Sequence, residues 1–393
     1  MTEAVIVAGA RTAIGTAYKG SLVNVSAFEL AEAVVNELVA RAGLAGDEID
    51  DLVLAENLYG GGVIGRHVAV SAGLTSVPGL SLNRHCAAGL SSVSVAAANI
   101  MAGMQQTVIA GGTNSQSTAP RASWRDPATG QEHKYWISPS HPNTPSAPNM
   151  DMGITVGHNT AVEAGLTRLD MDEWAFESHR KALVAIAAGS FVGEIVPLKV
   201  DRGADGTALF EVDEHPRAST MEKLASLRVL HPEIDGFEVT AGSSAGLNDA
   251  AAGLVLMSAE RAAERGLKPL AVVRSWASVG VAPERTGLAP IEAIPKALAL
   301  AGGRAVSDVD LWEINEAFAS VPIAATRALG IDPLLVNPVG SGCSLGHPIS
   351  ASGARMVVSL VNELGRRGGG TGVAAMCAGG GMGQALVLEV AGS

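Results

Sequence analysis

Apolar runs too short for a helix alternate with segments of helical periodicity along most of the chain, which predicts strands and helices in succession. Ala4–Ala10 reads as a buried strand and Arg11–Ser26 as a glycine-dotted loop. Phe28–Ala42 carries Leu30, Val34, Val35 and Leu38 at helical spacing, and Gly43 stops it. Leu52–Ala55 and Leu80–Leu82 are further strands. The chain then turns through Asn83, Arg84 and His85, and Cys86 opens a helix on which Leu90, Val93, Ala97, Ile100 and Met101 recur. Its other positions are mostly Ala, Ser and Gly, so it can be approached from every side, as suits the centre of a large protein.

Between Thr113 and Ser243 the pattern changes. Pro120–Pro148 is rich in Pro, Ser, Asn and Trp and predicts an ordered excursion. Asp172–Ala188 is helical, and Ile195–Val200 and Ala208–Val212 predict strands around a turn at Asp205-Gly206. Gly246–Arg265 returns to the small-residue helical style, and Leu270–Ser275 begins a new strand. The expected organisation is a first half at 1–116, an inserted loop domain at 117–244, the rest of the first half at 245–268 and a second half at 269–393.

The second half repeats the first. Helix Ile291–Leu300 precedes VSDVDLWEIN, the counterpart of IDDLVLAEN; LLVN answers LSLN, helix Ser352–Leu364 follows, and TGVAAMCAGGG answers QQTVIAGG. This register sets Asn57 against Asn315, Asn83 against Asn337 and Gly111-Gly112 against Gly379-Gly380, and gives Cys377 the counterpart Ala110. Mainly parallel sheets covered by helices follow, with ligand clefts expected where the two copies meet.

Composition narrows the function classes. A length of 393 residues allows two or three domains and a large core, and aromatics at 4% leave packing to Ala, Val and Leu against glycine. A net charge of −12 argues against nonspecific nucleic-acid binding and against an anionic membrane surface. Cys86, Cys343 and Cys377 do not make a disulfide framework, so a reducing cytosol is expected. The start of the chain lacks a basic leader, and no apolar run approaches the ~20 residues of a membrane helix.

The chemistry lies at strand and helix ends. A thiol in a helix's first turn meets unpaired N–H groups and the positive dipole end, which favour thiolate, although an inert core cysteine fits the same position. Gly60-Gly61-Gly62-Val63-Ile64-Gly65 is a literal GxGxxG, but the acidic residue expected about 20 positions on is replaced by Asn83, Arg84 and His85. Only an NADP reading, with Arg84 on the extra phosphate, survives beside a glycine-rich packing turn. In the second half, Gly346-His347-Pro348 occupies the turn equivalent to that of Cys86, and the last strand ends in Cys377-Ala378-Gly379-Gly380-Gly381. Two thiols and an imidazole suggest nucleophile, base and acid, with glycine N–H groups and the Asn315 amide for an oxyanion. Asn315 with Glu316 also reads as a helix cap. Cys343 is taken as structural, and the spacing of His347, Cys343 and Cys377 does not suit zinc.

Over essentially its whole length the chain resembles the thiolases, acyl-CoA C-acyltransferases. The resemblance rests on NRHCAAGL at Cys86, NEAFAS at Asn315, GHPISASGAR at His347 and CAGGGMG at Cys377, with ARTAIG, MGIT, DEHPR and TAGSSAGLNDAA in support. It implies a five-layered αβαβα fold of two similar halves related by a pseudo-twofold, plus an inserted loop domain. It gives Cys86 the role of acylated nucleophile, His347 that of activating base, and Cys377 that of acid/base at the α-carbon of the second acyl-CoA. Asn315, through a water, and His347 would hold that thioester's oxygen, and the N–H groups of Cys86 and Gly379 the acyl-enzyme oxygen. Arg228, Ser244, Ala245, Met152 and Phe318 would face the acyl-CoA. The partners are acyl-CoA and CoA, with no cofactor besides. A cytoplasmic homodimer or homotetramer is expected.

The departures from the family pattern are Ala88 for Ser, Pro338 and Val339 for glycines, Asp151 for His and Ala245 for Ser. They leave the catalytic residues intact and lean the reading toward a broad 3-oxoacyl-CoA enzyme over an acetoacetyl-CoA enzyme. A non-catalytic acyl or sterol carrier is the alternative, but it predicts a missing catalytic residue.

Overall fold

The computed structural model describes residues 2–59, 62–201, 203 and 206–392. Strands β1 (Ala4–Thr12), β2 (Asp51–Ala55), β3 (Gly79–Leu82), β4 (Thr107–Ser115) and β5 (Asn248–Ser258) lie in the order β1-β5-β4-β2-β3. Strands β6 (Ala271–Gly280), β7 (Leu311–Ile314), β8 (Gly370–Ala378) and β9 (Met382–Val390) lie in the order β6-β9-β8-β7. A bridge from Trp312 to Val336 fills the place that β3 holds in the first half. In each half the middle strands are parallel and the last in sequence inserts antiparallel beside them. The repeat inferred from sequence is thus a repeat of topology, and the halves join where Val5 and Ile6 pair with Val272 and Ala271.

Helices α1 (Ala27–Ala42), α2 (Ile64–Ser71), α3 (Ala88–Met101), α4 (Arg168–Ala187), α5 (Ala289–Leu300), α6 (Ser320–Leu329) and α7 (Ile349–Arg366) cover these strands. The start of α1 is a capping box, Ser26 Oγ accepting from Glu29 N at 3.3 Å and Glu29 Oε2 from Ser26 N at 2.8 Å, and Gly43 ends it at φ +60°. Its apolar stripe lies on the first sheet, and that of α5 on the second. Between the sheets α3 and α7 share one core with strands of both halves, through Leu90, Val93, Met356 and Val357. Helix, sheet, helix pair, sheet, helix is the five-layered αβαβα order.

The helical style expected for Gly246–Arg265 is corrected: Asn248–Ser258 is strand β5, and the helix covers only Ala259–Glu264. Every residue of β5 is buried, between β1 and β4 and under α1 and α7. A strand covered on both faces shows no alternation, and its alanines are small because helices press on it from both sides.

The register of the repeat is also corrected. Asp50 N donates to Thr107 O at 2.9 Å, and Asp310 N to Thr371 O at 2.9 Å. The Asp50 and Asp310 carboxylates accept from the N–H groups of Thr107 and Thr371 in the same way. Counting from these anchors, Cys377 corresponds to Thr113 rather than Ala110, Asn315 to Ala55 rather than Asn57, and Asn337 to Leu80 rather than Asn83. The glycine runs misled the comparison. Gly111 and Gly112 lie inside β4, where a Cβ would strike the backbone of Ala252 and of Ser350, whereas Gly380 and Gly381 form a turn at φ +85° and +74°.

The segment after β4 carries a small exposed hairpin, Ser123–Arg125 with Glu132–Lys134, and returns through α4 to short strands at Ile195–Val196, Leu198–Asp201 and Thr207–Phe210. Of the expected Asp205-Gly206 turn, Asp205 lies outside the described residues. Buried Arg11 ties this segment to β1, bonding Glu194 at 2.7 Å and both oxygens of Asp213 at 2.8 and 2.9 Å. Among the described residues no helix is long and apolar enough to cross a membrane.

Candidate active site

Cys86 sits in a single 3-10 turn, His85–Ala87, between β3 and α3. His85 takes a left-handed φ of +46°, and its N–H is held by Asn83 Oδ1 at 2.7 Å. Arg84 braces the turn from below through Ser91 Oγ at 2.9 Å and Ser278 Oγ at 2.8 Å. The turn reaches the second half because α3 and α7 cross nearly backbone to backbone. A Cβ on Gly89 would stand 2.5 Å from Ser350 O, and one on Gly353 would strike Leu90 N.

That crossing brings His347, just ahead of α7, into the site. His347 N donates to Asn248 Oδ1 at 3.0 Å, and ring Nδ1 lies 2.6 Å from Ser352 Oγ. Asn315, after β7, is fully buried, with its side-chain nitrogen 3.5 Å from both ring nitrogens. The helix expected to start near Asn315 begins only at Ser320. The 315–319 loop is fixed by Glu316, whose carboxylate accepts from Trp174 Nε1 at 2.9 Å, Asn337 Nδ2 at 2.8 Å, Ser178 Oγ at 2.6 Å and Cys343 N at 3.1 Å.

Cys377 is the penultimate residue of β8, 2% exposed, and packs in a cluster with Phe318, Cys343 and Val239. Beyond it the backbone N–H of Gly379 comes near the Cys86 sulfur and, with the N–H of Cys86 itself, favours its ionised form. The Cys377 thiol is pushed far up, by burial first and then by the neighbouring Cys86, so the two sulfurs sense one another.

Protonation states follow from burial. Burial lifts the Cys86 thiol to about 11, outweighing the two N–H bonds that favour thiolate. Burial thus works against the thiolate expected from the sequence, with only the N–H groups of a short 3-10 turn to oppose it. Burial, with the charge of Arg355 adding to it, drops His347 to about 4. Burial thus favours a neutral thiol at Cys86 and a neutral imidazole at His347.

Of the other expected residues, four form one wall. Ser244 bridges Phe318, Ala245 N donates to Ala317 O at 3.0 Å, and Ala319 N donates to Ser243 O at 2.9 Å. Phe318 lies on Gly157, where a Cβ would come within 2.8 Å of its ring, and Met152 packs on the same cluster. Arg228 stands apart, exposed, with its charge reaching Glu233.

Both halves match the family models for thiolases, the thiolase N-terminal domain over residues 4–260 and the C-terminal domain over 267–390. The chain belongs to the thiolase family. It is 41% identical to the beta-ketothiolase BktB of Cupriavidus necator over 98% of this chain and 99% of that one. It is 40% identical to a 3-ketoacyl-CoA thiolase of Bacillus subtilis, over 99% of this chain and 100% of the relative, and 40% identical to an acetyl-CoA acetyltransferase of Escherichia coli, over 99% of each. The crystal structure of the Bacillus anthracis acetyl-CoA acetyltransferase superposes with a TM-score of 0.90 at 38% identity, covering 99% of both chains. This thiolase is accordingly an acyltransferase. The carrier and dehydrogenase alternatives find no support among these relatives, and Arg84, reserved for a cofactor phosphate, is bonded within the protein; of the glycine run, Gly60 and Gly61 lie outside the described residues.

The sequence alone gives no role to Ser352 or Asn248, although both lie in motifs singled out above, and gives Glu316 only the first turn of a helix capped by Asn315. Glu316 carried a signal of its own, one of two carboxylates, with Glu313, in the short strand-end run LWEINEAF.

Proposed function

We propose that this thiolase makes and breaks the C–C bond of 3-oxoacyl-CoAs through an acyl-Cys86 intermediate, with a broad acyl preference. The observation that carries the assignment of roles is the convergence on one sulfur. The N–H groups of Gly379 and Cys86 lie by the Cys86 sulfur, and Cys377 is close enough to feel that sulfur when it ionises. In the thiolysis direction, His347 takes the Cys86 proton as the sulfur attacks the 3-keto carbon. The N–H groups of Cys86 and Gly379 hold the resulting oxyanion. The C–C bond breaks toward the thioester side, and the enolate oxygen is held by His347 and Asn315, the latter through a water. The neutral Cys377 thiol delivers its proton to the α-carbon, and acetyl-CoA leaves. The proton on His347 then returns to the Cys377 thiolate. His347 next takes the proton of an incoming CoA thiol, whose sulfur attacks the acyl-enzyme, and gives it to the departing Cys86. Condensation is the reverse.

The acyl-CoA lies along Met152, Ser244, Ala245 and Phe318, with Arg228 at the outer end. Ala245 in place of Ser supports the broader preference. The proposal extends to an enzyme needing no cofactor besides CoA, acting in fatty-acid degradation as a homodimer or homotetramer. Two reactive thiols in one site fit a reducing cytoplasm. The segment 117–244 is an insertion between β4 and β5, neighbours in the sheet though far apart in sequence.

The test separates the half-reactions. In Cys377→Ala, acetyl-CoA still acylates Cys86, visible by intact mass, while α-proton exchange with solvent deuterium and condensation both fall by roughly 10²–10⁴-fold, the scale of a positioned acid/base. Near-normal exchange in this variant sinks the two-cysteine mechanism.

A further inference from the structure

Asp151 leads into Gly153–His158, a π-helical turn of a kind that is rare and frequent at functional sites. Opposite it, residues 229–240 fold back on themselves. Val229 bridges Thr240, and Leu230 N donates to Val239 O at 2.9 Å. This loop connects to the wall described above, because Ser244 Oγ donates to Thr240 O at 2.6 Å and Val239 lies against Gly157. His231 spans the gap between the two segments: its Nε2 is 2.9 Å from Asp151 Oδ2 and its Nδ1 2.8 Å from Glu233 Oε1. Beneath, buried Phe237 packs between the His158 ring, stacked at 4.8 Å, and the His231 ring, edge-on at 4.9 Å.

We infer that the Asp151–His231–Glu233 clasp is a positioning device, holding the 229–240 loop on the π-helical turn and so keeping the Met152, Ser244 and Phe318 wall shaped for an acyl-CoA. This rests on the reading that this wall takes the acyl-CoA. Ionised carboxylates only accept hydrogen bonds, so both bonds form only while both ring nitrogens carry protons. The hydrogen bond to Glu233 first, then the charge of Asp151, raises His231 above its ordinary 6.5. The charged and titratable groups around it are Asp151 and His158 from the π-helical side and Glu233 and Arg228 from its own side. The clasp is complete below the raised value and loses one of its two bonds as pH climbs through it.

The experiment measures KM and kcat for acetoacetyl-CoA thiolysis between pH 6 and 9, in the wild type, His231→Gln, His231→Arg and Asp151→Asn. The wild-type KM should rise roughly two- to fivefold with pH, the scale of a solvent-facing ion pair, with kcat following a separate profile. His231→Gln and Asp151→Asn should hold the higher KM at every pH, while His231→Arg, which stays charged, should keep the lower one. Asp151→Asn carries the test should His231→Gln fail to fold. A flat wild-type KM, or a wild-type KM profile in Asp151→Asn, overturns the clasp alone. Acylation of Cys86, read by intact mass in the same samples, reports separately on the reading of the site.

Discussion

With the one Ser352 hydroxyl proton directed to Pro348 O at 3.0 Å, the 2.6 Å contact with His347 is donated by ring Nδ1. The tautomer that follows leaves a lone pair on Nε2, as a base needs. Ser352→Ala frees the ring to adopt the other tautomer, and acylation of Cys86 should slow by roughly 10–100-fold, the scale for losing a group that orients a ring. An unchanged rate of acetyl adduct formation by rapid-quench mass would place tautomer control elsewhere. Cys86 makes a second test. With its thiol near 11, iodoacetamide labelling should climb about tenfold per unit from pH 7 to 9, with activity lost in parallel and Cys343 labelled later. A plateau reached by pH 7 would mean that a thiolate–imidazolium pair already exists. Cys86, His347, Cys377 and Asn315 stand out in the sequence as candidates because reactive side chains are conspicuous in apolar, glycine-rich runs. Ser352 and Asn248 do not, since a serine or asparagine acquires its role only from the partner that the fold brings to it.

Helix and strand types were legible wherever one face is polar, as in α1, whose stripe, capping serine and terminating glycine all point to the same boundaries. They were not legible in the centre of the molecule. The alanines of β5 suit a helix by propensity and a strand by place, and burial on both faces decides. Glycine was ambiguous in the same way, marking close approach inside β4 and a turn after β8. The α3–α7 crossing gives the element-scale prediction. In Gly353→Ala the new Cβ meets backbone at Leu90 N, which has no rotamer to change, so α7 must move away from α3. Overpacking of this kind costs about 1–3 kcal/mol, and the melting temperature should fall accordingly. Because His347 precedes α7 and Cys86 precedes α3, acylation should suffer even in the molecules that remain folded. A variant with the wild-type melting point and wild-type acylation would show that the crossing tolerates a wider spacing.

At the scale of the whole molecule, stability should fall on mild acidification, because several histidines are buried in the neutral form. Burial first, then the charge of Arg217, depresses His179 to about 3 and His215 to about 4, and burial depresses His347 to about 4. His179 and His215 stack at 6.2 Å behind the site, with His179 Nε2 unpartnered among the described residues and Arg217 N bonded to Nδ1 at 3.3 Å. The direction follows from linkage: in the unfolded chain each ring protonates near 6.5, while in the folded protein it stays neutral until well below that. The unfolded state therefore binds more protons between pH 6.5 and about 4, so the contribution of these rings is intact above 6.5 and is lost progressively as pH falls through that window. Buried Glu313 acts in the opposite sense, since burial raises its carboxyl and favours the folded state on acidification, so the wild-type curve reports only the net. Comparison with the double variant His179→Gln, His215→Gln isolates the histidine share. In urea denaturation at pH 7.5, 6 and 5, the wild type should lose stability at each step, and the variant should lose distinctly less between pH 7.5 and 5. Parallel losses in both proteins would mean that the two rings exchange protons with solvent as freely in the folded state as in the unfolded one, against the burial of His179 on α4 and its stacking with His215.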